Sequence, residues 1–123
     1  MSSIDRPLSG DVMRFRLSDE RKMAGDPAAL EQHGRSSRTL VKQGPLRVTL
    51  VVVQPGGKIA PHHAAGPITV QVLDGDIQFR AGETEHALAT GDLLVVGGGV
   101  EHAVGSDGGG AFLLTVVQPL TST

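Results

Sequence analysis

The sequence predicts an all-β sandwich or barrel, on two observations. Its 123 residues include 17 glycines and 7 prolines. From Gly56 onward these cluster roughly every ten residues, at QPGG, AAGP, LDGD, RAGE, ATGD, VGGGVE and GSDGGG. Between the clusters lie short runs rich in Val, Leu, Ile and Thr, the pattern of short strands joined by turns.

The elements follow in order. Residues 1–36 read as an extension and 37–123 as a single barrel domain. Within the extension, GDPAALEQHG reads as one short helix. Asp26 can cap it, Pro27 suits the first helical position and Gly34 can end it. SDERKM just before it adds a turn. From Ser37 the period changes to two. SRTLVKQ is a strand, and PLRVTLVVVQP is a long one with Leu46, Val48, Leu50 and Val52 on one face. Short KIAPHH follows. ITVQVLDG and DIQFRAG read as a hairpin about Asp74–Gly75, a strong turn dipeptide. In the next strand, ETEHALAT, His86 and Leu88 share a face. DLLVV, EHAVGS and AFLLTVVQP complete eight or nine strands. Val51 and Val53 make the second strand apolar on its other face too. Such a strand needs cover on both sides, the helix can cover only part of it, and a partner subunit is expected to supply the rest. A symmetric homodimer is therefore expected.

Composition narrows the functions. The net charge is −2 with histidine neutral, and Trp and Tyr are absent. No basic stripe with interleaved aromatics appears, so neither a nucleic-acid nor a membrane surface is expected. The longest apolar run in the barrel region, LVVV, is far short of a span, and MSSIDRPLSG lacks the features of a secretory signal. There is no cysteine, which excludes thiolate metal sites and accords with a cytoplasmic setting. No Gly-x-Ser-x-Gly elbow or phosphate loop is present.

The histidines carry the chemistry. His62 and His63 sit between a Pro-Gly-Gly turn and a strand, and His102 follows a second glycine cluster. Gly56, His62, Ala64, Ile68 and Gly75 keep the spacing of one motif, and Gly91, Gly97, Gly99, His102 and Ser106 that of a second. Over roughly Thr39 to Gln118, the two motifs in series resemble those of the cupin superfamily, small jelly-roll β-barrels. The resemblance implies a metal site in the barrel. It also implies that Ala64 and Ile68 occupy places where the family carries a second histidine and a glutamate. Glycine and serine replace the proline and asparagine of the second motif.

Neighbouring barrel strands can point His62 and His102 into one end of the interior. Imidazoles suit Zn, Fe, Ni, Cu or Mn, and a competent site needs a further ligand. Two residues can supply it. His63 faces away from His62 in a regular strand, but a bulge within PHHAAGP would turn it inward. His86 lies on the core face of its strand. His33, in the helix, reads as solvated.

Two functions fit. One is a metal-dependent enzyme for a small substrate, of the dioxygenase, isomerase or decarboxylase types found in the superfamily. The other is a metal-free small-ligand-binding or structural barrel. The third ligand discriminates between them.

Overall fold

The computed structural model describes residues 6–119. Two helices, α1 (Leu17–Ala24) and α2 (Pro27–His33), precede eight strands: β1 (Arg35–Gln43), β2 (Leu46–Val53), β3 (Lys58–His62), β4 (Ile68–Ala81), β5 (Thr84–Ala89), β6 (Leu93–Val96), β7 (His102–Gly105) and β8 (Gly110–Val117). Every pairing is antiparallel. The larger layer runs β1-β2-β8-β4-β6 and the smaller β3-β7-β4-β5. Together they make the expected jelly-roll barrel. No helix among the described residues is long and apolar enough to cross a membrane.

The two layers share β4, and this corrects the hairpin expected at Asp74–Gly75. The strand continues through that dipeptide. Residues 68–75 pair with β8 in the larger layer, and residues 76–81 pair with β5 in the smaller. The register shifts between Val72 and Asp74, and Gly75 has φ of 74°. An irregularity with a left-handed glycine bends a strand without reversing it. Gly75 also packs against the backbone of Gly109 and Gly110; a Cβ there would collide with the Gly109 carbonyl oxygen. The reversal comes one turn later, between β4 and β5.

Alternation fills the barrel. Val51 and Val53 of β2, Val70 and Val72 of β4, Phe79, Val104 and Phe112 form one buried cluster inside. The opposite faces of β2 and β8 carry a second cluster. Leu50, Val52 and Ala111 pack there with Ala24 of α1, and Leu30 of α2, Leu73 and Leu113 lean against them. The Leu50 and Val52 part of the outer face of β2 is thus covered from within the chain by two helices, where one was expected, and Leu46 on the same face stays exposed.

Local chemistry holds that cover in place. SDERKM, expected to add only a turn, lies within the eight residues of α1. Asp19 and Glu20 stand in its first turn and Arg21 and Lys22 in its last, which suits the helix dipole. The Asp26 carboxylate caps α2 by accepting from the Ala28 N–H at 3.3 Å, and Gly34, at φ of 76°, ends it. Arg38 pairs with Glu20 at 2.8 Å and Arg21 with Asp74 at 2.8 Å. The Ser36 hydroxyl donates to the Ala24 carbonyl at 2.5 Å. With β1 starting at Arg35, Ser36 and Arg38 face the helices, while Arg35 and Ser37 face the barrel.

Candidate functional site

The site begins with a break in β3. That strand pairs with β7 through Lys58–Gly105, Ile59–Val104 and His62–His102, with a register shift between Ile59 and His62. In unbroken alternation, a strand with Ile59 inward would turn Pro61 and His63 inward and His62 outward. The irregularity at Ala60–Pro61 inverts this. Proline cannot donate to the ladder, so the break falls where the hydrogen bond is already missing. The irregularity lies before the histidine pair; it turns His62 toward His102, and His63, which a bulge within PHHAAGP would have turned inward, is exposed.

His102 opens β7 directly opposite His62. Its side chain is only 4% exposed, whereas His62 lies at the mouth and is exposed. The ring of His102 stacks on Phe79, with centroids 5.4 Å apart and planes 22° from parallel. The His62 ring meets it edge-on, at 4.2 Å between centroids and 71°. The Nδ1–H of His62 donates to the Ala60 carbonyl at 3.0 Å, and that of His102 to the Val100 carbonyl at 3.2 Å. A carbonyl can only accept, so each Nδ1 carries a proton, and in the neutral form of either ring that leaves Nε2 bare.

These two Nε2 atoms stand 3.0 Å apart. Two lone pairs converging at that distance repel unless a positive species lies between them. A shared proton or a metal ion would meet that need. Burial holds the pKa of His102 below the ordinary histidine value of 6.5, against the opposing bond to Val100. The spacing also accommodates a metal ion. Imidazole nitrogens bind such ions at about 2.0–2.1 Å, so two at about 90° to one another lie about 3 Å apart. Anchoring of Nδ1 by a backbone carbonyl is also the usual support of a metal-binding histidine.

The other expected ligands lie apart from this pair. His63 is exposed beyond the end of β3. His86 faces inward opposite Phe79, one row away from His102. Among the described residues no group of three or more His, Cys, Asp or Glu side chains is placed to hold an ion. Ala64 packs against the barrel core and Ile68 is 2% exposed within it, so those two motif positions serve packing. Ser106, in the asparagine position, is also buried; its hydroxyl donates to the Asp76 carbonyl at 2.6 Å and ties the end of β7 to β4.

Between the layers the pair opens on a cavity of about 500 Å³. Phe79, Val104, Phe112 and Val51 form apolar walls, and Arg35, Ser37 and Thr49 add polar groups from the larger layer. Sequence reasoning missed Arg35, because it started β1 at Ser37 and left Arg35 in the extension. Alternation from Thr39 back along the strand was the available signal.

Known proteins agree with this architecture. Residues 49–118 match the family model of the cupin domain. A conserved protein of unknown function from Streptococcus pyogenes is 29% identical, with a TM-score of 0.68 over 73% of this chain and 79% of that one. A cupin-2 domain containing protein from Shewanella frigidimarina is 18% identical, with a TM-score of 0.68 over 85% and 94% of the two chains. Salicylate 1,2-dioxygenase from Pseudoaminobacter salicylatoxidans is 16% identical and shares the fold at a TM-score of 0.74, over 84% of this chain and 32% of that enzyme. No curated protein matches. The family match spans more than half of the chain and takes in both histidines of the converging pair, and the chain belongs to the cupin domain family.

Proposed function

We propose that the chain binds one divalent transition metal ion through the Nε2 atoms of His62 and His102, with the further ligand that a competent site needs supplied by a small molecule beside it in the cavity. The observation that carries this reading is the convergence of two Nε2 atoms at 3.0 Å, each ring fixed through its Nδ1. Zn, Fe, Ni and Mn all accept imidazole, and two protein ligands leave positions open for the small molecule. When bound, the ion supplies Lewis acidity to that molecule. The chain's own residues orient the rings and exclude water. Phe79 and the Val100 carbonyl hold His102, the Ala60 carbonyl holds His62, and the apolar walls shield the guest. His63 or His86 can add a third ligand only by moving toward the pair. In the same reading two chains associate through β6, an edge strand whose Leu93 and Val95 are exposed.

Calorimetric titration with nickel or zinc tests the metal site. Wild-type protein without a histidine tag is expected to take up one ion per chain. His62→Ala and His102→Ala are each expected to weaken binding by at least about 10–100-fold, the loss seen even when only a ligand's support is removed. Equal uptake by the wild type and both variants would refute the site. No uptake by the wild type would leave the metal-free ligand-binding barrel, the reading that the apolar Ala64 and Ile68 favour.

A further inference from the structure

The charge of the cavity identifies what it takes. Two neutral imidazoles leave a divalent ion with its full positive charge. The usual remedy is a protein carboxylate, yet none of the described residues lining the cavity is Asp or Glu. The larger layer adds positive charge. Arg35, on the inward face of β1 opposite Val53, reaches the same cavity and makes no ion pair among the described residues. Beside it stand the hydroxyls of Ser37 and Thr49. The walls between Arg35 and the histidines are aliphatic and aromatic. A guest that satisfies all of these groups is negatively charged at one end and apolar along its body.

We propose that the cavity binds a small carboxylic acid with an apolar body, its carboxylate recognised by the Arg35 guanidinium with help from Ser37 and Thr49. This deepens the metal-site reading and rests on it for the second polar group that meets the guest. Arginine suits the role because its planar fork pairs with both carboxylate oxygens. About 500 Å³ accommodates a single ring or a short chain with its carboxylate.

The test uses benzoate and its neutral isostere benzamide as probes, followed by amide chemical shifts of the labelled full chain, zinc-loaded and metal-free. Benzoate is expected to shift residues around the cavity and to bind at least about tenfold more tightly than benzamide, since charge-assisted hydrogen bonds are roughly twice as strong as neutral ones. Arg35→Gln is expected to weaken benzoate about tenfold in both forms while zinc is still taken up; Arg35→Lys should fall between. Position 35 lies on an edge strand and is exposed, so the fold tolerates both changes. Equal affinity for benzoate and benzamide, no effect of Arg35→Gln, or no benzoate binding at millimolar concentration would each overturn the proposal. Failure of the metal site would appear separately, as absent zinc uptake, with the Arg35 result still read on the metal-free protein.

Discussion

His102 is where burial, tautomer and metal chemistry meet in one side chain. Its burial keeps the folded-state pKa below 6.5, the ordinary value that it regains in the unfolded chain. The unfolded chain therefore takes up the proton first as pH falls. Stability from the neutral ring is complete above about pH 6.5 and is lost as pH drops from there through the lowered folded value. Thermal melts of metal-free protein between pH 8 and 5 are expected to show that decline, and His102→Gln should flatten it. An unchanged slope in the variant would mean that other groups set the acid limb. The place of this residue in a family motif was legible in the sequence, because the spacing of Gly91, Gly97, Gly99 and His102 is kept. The inward turn of His62 was read from the motif spacing and not from strand alternation. Counting alone gives His62 and His63 opposite faces. Which of them enters the barrel depends on the irregularity at Ala60–Pro61, set by pairing with a strand forty residues away. Arg35 was hidden for a similar reason: its face is fixed by register with Val53.

At the scale of elements, β4 decides the architecture. A local reading of Asp74–Gly75 favours a hairpin, since the dipeptide is a turn signal and apolar alternation restarts after it. Tertiary pairing overrides this. With β8 beside it on one half and β5 on the other, the strand retains its ladder on both sides of the bend. The turn-forming glycine serves as a hinge between layers. Gly75→Ala is expected to cost at least about 2 kcal/mol, the sum of left-handed strain and overpacking. Chemical denaturation measures it. A loss under about 0.5 kcal/mol, the scale of an uneventful surface change, would show that the bend tolerates a side chain. The helices were more legible. The cap at Asp26 and the stop at Gly34 are written locally, because capping depends on residues within one turn. The length of α1 was not, because its stability comes from packing Ala24 on the sheet.

For the whole molecule, the open question is where a second chain would dock. A strand apolar on both faces pointed to a dimer across β2, but α1 and α2 already lie over Leu50 and Val52 of its outer face. More fully exposed apolar side chains stand at the far end of the same layer. Leu93 and Val95 of β6 are 62% and 65% exposed, facing outward beside Gln71 and Thr69. Among the described residues β6 pairs only with β4, so its other edge offers backbone donors and acceptors. An apolar edge strand is a template for another strand unless charge or cover blocks it, and the LLVV of β6 carries no charge. Pairing two such edges about a two-fold axis satisfies both backbones and buries both copies of Leu93 and Val95. Light scattering at micromolar concentration is expected to give twice the 12.8 kDa chain mass. The double variant Leu93→Lys, Val95→Lys should give the single mass, with its circular dichroism unchanged, because both side chains point away from the core. A wild-type chain that stays at 12.8 kDa on concentration would rule the dimer out. A dimer that survives the double variant would place the contact elsewhere, with the exposed Leu46 and Val117 at the other end of the layer the next surface to change.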